Sequence, residues 1–118
     1  MRSLTPQEEQ LMRYVWQGKE GFIRDFRKMY DSKPLPPYTT VATIMKKLEA
    51  KGYVSGKRYG NTYEYSPLIE QENYTKASMS AMVSNYFQNS YKEMVTFFAK
   101  EEKLSEEDLQ AIIKMIKK

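Results

Sequence analysis

The sequence predicts a mainly α-helical fold with one small β-hairpin, and three observations lead there. Apolar residues recur at three- and four-residue spacing in several separate segments. One tyrosine-rich stretch alternates instead with the period of paired strands. Glycine and proline punctuate the boundaries of the first half.

The first helix is announced by Thr5, Pro6 and Glu8, which match a capping box: a hydroxyl for the free amide at the third helical position, a proline tolerated at the first, and a glutamate reaching back to the cap. Leu11, Met12, Val15 and Trp16 then share one face, and Gly18 is the expected stop. A second amphipathic segment carries Phe22, Ile23, Phe26, Met29 and Tyr30. "SKPLPPY" ends it, because Pro34, Pro36 and Pro37 cannot continue a helix. The third helix, "TTVATIMKKLEAKGYV", should be capped by Thr39 or Thr40, with Gly52 just past its end.

That third helix carries two patterns. At 100° per residue, Val41, Ile44, Met45 and Leu48 point one way and are expected in the core. Thr39, Ala42, Thr43, Lys46 and Ala50 point the other way. Short side chains toward the start and lysines further along suit a helix entering a DNA major groove by its N-terminus. Small residues allow close approach, threonine can bond a base or touch a thymine methyl, and lysine reaches phosphates or guanine edges. An ordinary solvated face is the plain alternative.

The segment that follows bears on that choice. "YVSGKRYGNTYEYSPL" predicts two strands, Tyr53 to Tyr59 and Thr62 to Ser66, joined at Gly60-Asn61 in a tight turn, with Lys57 and Arg58 just before the tip. Tyr63 and Tyr65 share a face by alternation and are expected to cover the core. Three helices followed by a basic hairpin make a winged helix-turn-helix, in which the hairpin lies along the DNA backbone or in the minor groove.

Charge agrees with this placement. Residues 1–68 carry 12 Lys+Arg against 7 Asp+Glu, a net of +5, whereas residues 69–118 carry 7 against 8, a net of −1. A polyanion should therefore meet the first half. The boundaries expected are 1–68 for a winged-helix DNA-binding domain and 69–118 for a helical dimerisation domain. With neither cysteine nor histidine among its 118 residues, the chain has no thiol nucleophile, imidazole base or zinc-finger spacing. No spacing pairs a nucleophile with a base, so no catalytic residue, metal site or cofactor is expected. The polar start "MRSLTPQEEQ" is no secretory signal, and no apolar run approaches the ~20 residues of a bilayer span. A cytoplasmic protein without membrane insertion is the expectation.

In the second half, from about Gln71 to Phe98, a long helix is predicted from Met79, Met82, Val83, Tyr86, Phe87, Tyr91, Met94 and Phe98, with no glycine or proline to interrupt it. "KEEKL" stops it. Ser105 and Asp108 cap a last helix whose stripe is Leu109, Ile112, Ile113 and Ile116, with Lys114, Lys117 and Lys118 favourable to its dipole. Two helices cannot bury this much apolar surface between themselves. A second copy of the chain is the expected cover; folding back onto the first half is the alternative.

The order "LTPQEEQLMRYVWQG", "YTTVATIMKKLEAKGYV", "KRYGNTYEYSPLI" and "EEKLSEEDLQAIIKMI" resembles the penicillinase-repressor (BlaI/MecI-type) family over nearly the whole chain. The resemblance implies a dimeric winged-helix repressor on a palindromic double-stranded DNA operator, with the C-terminal helices interlocking two subunits. It places Thr40, Ala42, Thr43, Lys46 and Lys47 on or beside the recognition face, and Lys57, Arg58 and Tyr59 on the wing. It also implies an inactivating protease linked to a membrane sensor, cutting an Asn-Phe bond in β-lactam-responsive members. A gapless comparison anchored on Leu104-Ser105 puts Phe97-Phe98 at that place, without the asparagine, and the paired cysteines of the copper-responsive branch are absent. The function expected is therefore sequence-specific transcriptional repression without catalysis; a winged-helix module that binds protein is the competing class, disfavoured by Lys46 and Lys47.

Overall fold

The structure, a computed structural model, describes residues 1–101 and 104–116, with the side chains of Ile112, Ile113, Met115 and Ile116 outside the described set. It packs as two compact units, Met1–Thr75 and Lys76–Lys118. The elements run α1 (Pro6–Gly18), β1 (Gly21–Phe22), α2 (Ile23–Arg27), α3 (Tyr38–Ala50), β2 (Val54–Tyr59), β3 (Thr62–Pro67), α4 (Gln71–Tyr86), α5 (Tyr91–Lys100) and α6 (Glu106–Ile116).

The capping box of α1 is complete: the Glu8 amide donates to Thr5 Oγ1 at 3.2 Å, and the Thr5 amide donates to Glu8 Oε1 at 2.9 Å. At the other end Gly18 is the last helical residue, and Lys19 takes the left-handed turn at φ 71°. Gly18 serves a different need. A Cβ there would stand 3.2 Å from the Phe26 ring, so glycine leaves room for the α2 aromatic to close against α1.

The second helix is shorter than predicted. Gly21 and Phe22 are drawn into a strand that pairs antiparallel with β3, so the sheet has three strands in the order β1-β3-β2. The Phe22 amide donates to Asp25 Oδ2 at 2.8 Å, and α2 runs five residues, leaving Met29 and Tyr30 beyond it. Leu11, Met12, Val15, Ile23, Phe26, Val41, Ile44, Met45, Leu48, Tyr53, Val54 and Tyr65 form the core of this unit.

Glu8 is 3% exposed, and its carboxylate accepts from Lys51 Nζ at 2.5 Å. Burial alone would raise its pKa. The hydrogen bonds from Lys51 and Thr5, and the charge of the ammonium, outweigh that and hold it below the ordinary value. The same ammonium donates to the Ser3 carbonyl at 2.9 Å, which ties the N-terminus to the end of α3.

The first unit also takes in the start of α4. Trp16 Nε1 donates to the Ile69 carbonyl at 2.8 Å, and the Tyr74 hydroxyl donates to Glu9 Oε2 at 2.6 Å. The Tyr74 ring lies 5.3 Å from Trp16 and 5.9 Å from Tyr53, centroid to centroid.

The long helix predicted from Gln71 to Phe98 is two helices. Gln88 and Asn89 adopt left-handed backbone at φ 52° and 64°, and Ser90 starts α5 by accepting the Glu93 amide at 3.1 Å. Two consecutive left-handed residues end a helix as effectively as a glycine, and a serine cap restarts it. In α6 the expected cap is present: the Asp108 amide donates to Ser105 Oγ at 3.0 Å, and the Ser105 amide donates to Asp108 Oδ2 at 3.2 Å.

Candidate nucleic-acid interface

The third helix does divide as its sequence spacing requires. Val41, Met45 and Leu48 are fully buried and Ile44 is 8% exposed, while Thr39, Thr40, Thr43, Lys46 and Lys47 are exposed. Two details differ from expectation. The helix begins at Tyr38 with Pro37 as its cap, so neither Thr39 nor Thr40 caps it; the Pro37 carbonyl accepts the Thr40 and Val41 amides at 3.0 and 3.2 Å. Ala42 is half-buried and packs against the core cluster at the edge of the outer face.

Placing Thr39 and Thr40 in the first turn leaves their side chains free of capping duty. Thr43 behaves otherwise: its hydroxyl donates to the Thr39 carbonyl at 2.9 Å, which leaves the oxygen of this exposed side chain able to accept. The approach to α3 is pinned by Arg27, whose Nε donates to the Pro36 carbonyl at 2.7 Å. At the far end Gly52 takes φ 82° and the chain turns into β2.

The hairpin is registered Val54↔Pro67 through Tyr59↔Thr62, with Gly60 at φ 60° in the turn. Gly56 faces Tyr65 across the pair, and a Cβ on Gly56 would meet the Tyr65 ring at 2.9 Å. Glycine there lets the tyrosine enter the core, where it is 3% exposed. Tyr63 stands on the same face but is 41% exposed, so only Tyr65 covers the core; Tyr63 lies nearer the hairpin tip, opposite Arg58. The Tyr65 hydroxyl is pushed up by burial, then by Glu49, Tyr38 and Tyr63, so it stays protonated at neutral pH.

Alternation along β2 separates the wing residues. Arg58, opposite Tyr63, lies on the helix-facing side, and Lys57 and Tyr59 lie on the outer side. Arg58 Nε donates to the Gly60 carbonyl at 2.9 Å, and the Lys57 ammonium stands 5.4 Å from the centre of the Tyr59 ring. Sequence reasoning passed over Tyr38, 48% exposed in the first turn of α3, because it reads as the end of the proline stretch.

In the second unit Val83 is buried, Met79, Met82, Phe87, Met94, Phe98 and Leu109 are half-buried, and Tyr86 and Tyr91 are 78% and 55% exposed. Phe97 joins Phe87 and Phe98 in a row of edge-to-face rings at 5.7 and 5.6 Å. The expected contributions of Ile112, Ile113 and Ile116 fall on side chains outside the described residues. Among the described residues no group of acidic side chains could hold a metal ion, and no helix is long and apolar enough to cross a membrane.

The sequence profile of the penicillinase repressor family matches residues 4–118. The chain belongs to the penicillinase repressor family. Its members are transcriptional repressors rather than enzymes, and this penicillinase repressor relative is a DNA-binding transcriptional regulator of that kind. It is similar to the methicillin resistance regulatory protein MecI of Mammaliicoccus sciuri, at 18% identity over 119 residues, covering 98% of this chain and 94% of that protein. The penicillinase repressor of Bacillus licheniformis is 18% identical over 113 residues, 96% of this chain and 88% of that one. The solution structure of the DNA-binding domain of the repressor BlaI aligns with a TM-score of 0.52 at 19% identity, over 63% of this chain and 94% of that domain, and so shares the winged-helix fold.

Proposed function

We propose that the chain represses transcription as a homodimer on a palindromic operator, with α3 reading bases and the β2–β3 hairpin gripping the backbone. The observation that carries this is the outer face of α3, where Thr39, Thr40, Thr43, Lys46 and Lys47 are all exposed over a tightly packed apolar face. Threonines near the N-terminus supply base contacts, lysines further along supply phosphate contacts, and Lys57, Arg58 and Tyr59 extend the basic surface to the wing. One helix reads only a few base pairs, so two half-sites must add their binding free energies.

The test is Thr43→Glu, against an operator identified by footprinting the purified protein on genomic DNA. Thr43 is exposed, whereas the half-buried Ala42 would confound binding with packing. A carboxylate at this position should abolish operator binding while leaving melting temperature and oligomeric state unchanged. Unaltered affinity would move the reading surface elsewhere.

The dimer is supported by the aromatic side chains of α4 and α5 that a single chain leaves exposed, Tyr86, Tyr91 and Phe97, beside the half-buried Met79, Met82 and Met94. Regulation by an inactivating protease linked to a membrane sensor is the family expectation carried here. The Phe97–Phe98 bond lies inside α5, and replacing asparagine by a bulky aromatic removes both shape and hydrogen-bond complementarity to an asparagine-specific protease. Relief of repression should therefore come from a protease of other specificity, a ligand or a change in protein level. Intact-mass measurement of protein recovered from β-lactam-treated cells should show no fragment ending at Phe97, and such a fragment would overturn the inference.

A further inference from the structure

The outer face of the sheet, with Arg24 of α2 at its edge, carries a continuous row of cationic and aromatic side chains. The Arg24 guanidinium stands 5.0 Å from the centre of the Phe22 ring. The Phe22 ring meets Tyr59 edge-to-face at 6.1 Å, and the Lys57 ammonium lies 5.4 Å from the centre of Tyr59. A cation therefore stands at each end of an aromatic pair that spans all three strands, since Phe22 is on edge strand β1 and Tyr59 and Lys57 are on β2.

We propose that this row is a phosphate-binding extension of the DNA interface, in which Arg24 and Lys57 contact the backbone beside the half-site and Phe22 and Tyr59 position them. The proposal rests on the DNA-binding reading and adds to it a strand and a residue, Arg24, that the recognition helix and wing do not include. The occupant follows from continuity and charge: Lys57 and Tyr59 already belong to the wing, and both free ends of the row are cationic. Each ring face attracts its cation while leaving the N–H donors free to turn outward. Such an arrangement limits the freedom a long side chain must lose on meeting a phosphate. Glu64, opposite both Phe22 and Lys57 in register, opposes an anion at the middle of the row and confines the proposed contacts to its two ends.

The test is the salt dependence of binding by the full-length protein, measured by fluorescence anisotropy on operator and random duplexes. Arg24→Ala should weaken both duplexes by a similar factor and flatten the log-log salt slope by about 0.9 for each phosphate no longer neutralised. Arg13→Ala removes the same charge from an exposed site on α1, salt-bridged to Glu9, and should leave the slope unchanged. Phe22→Leu, which keeps an apolar side chain on β1, should flatten the slope in the same sense, and Phe22→Trp should restore it. An unchanged slope in Arg24→Ala, with wild-type binding intact, overturns this proposal alone. Absence of any wild-type DNA binding overturns the underlying function and this proposal with it.

Discussion

Replacing Glu8 with glutamine should lower the thermal midpoint of the winged-helix unit by about 8–16 °C, from a loss of about 2 kcal/mol. Glutamine keeps the shape and can still accept from the Thr5 amide, so the capping box survives and the change isolates the ion pair. Breaking a buried pair costs ~3–5 kcal/mol when the remaining charge is stranded. Here the Lys51 side chain is 18% exposed and keeps its bond to the Ser3 carbonyl, which argues for the smaller value expected for a hydrogen bond to a charged group. Glu8→Ala should lose about 1 kcal/mol more as the cap goes. Acid separates this from a packing effect. The folded-state pKa of Glu8 lies below its unfolded value, so the wild type holds the full contribution above about pH 4.3 and loses it as pH falls through the lowered value. The gap between wild type and Glu8→Gln should therefore narrow on acidification. Melts followed by circular dichroism from pH 7 down to the acid limit of folding give both readings, and a gap under about 3 °C at pH 7, or one that does not change with pH, would refute the reasoning.

Lys57→Ala combined with Arg58→Ala should weaken all DNA sequences to a similar extent and flatten the salt slope by about 0.9 per phosphate released; a selective effect on one operator would instead assign base reading to the wing. Ending the chain after Thr75 should leave a folded monomer by sedimentation that binds the operator far more weakly than the full chain. Ending it after Leu68 should also destabilise the unit, because Ile69 and Tyr74, which bond Trp16 and Glu9, would be removed.

What the sequence made legible was whatever is decided within a turn or two of chain. The Thr5 and Ser105 caps, the apolar face of α3 and the hairpin register about Gly60 all rest on neighbours a few residues apart. The missed features depend on distant partners or on backbone that side chains do not advertise. Gly21 and Phe22 become a strand only because β3 is there to pair with them, and two residues carry no period. Tyr63 and Tyr65 alternate identically, and their different burial goes with distance from the hairpin tip, to which Tyr63 is nearer. The α4–α5 break uses Gln88 and Asn89 in a conformation usually left to glycine, although Ser90 followed by Glu93 at the third helical position was a readable start signal. The exposed outer face of α3 was legible as a pattern of small and basic side chains on one side of a helix. The Phe22–Arg24 row was not, because its rings come together only through the sheet.

The indole of Trp16 is the chain's one tryptophan, and its N–H is given to the Ile69 carbonyl while its ring rests against Tyr74. Intrinsic fluorescence excited at the red edge of the absorption band therefore reports on a single place, the seam between α1 and the beginning of α4. Undocking that seam would hydrate the indole and shift its emission to longer wavelength, with no label introduced. Titration with DNA, or with whatever relieves repression, can thus be followed for its effect on this seam by a colour change in the unmodified protein.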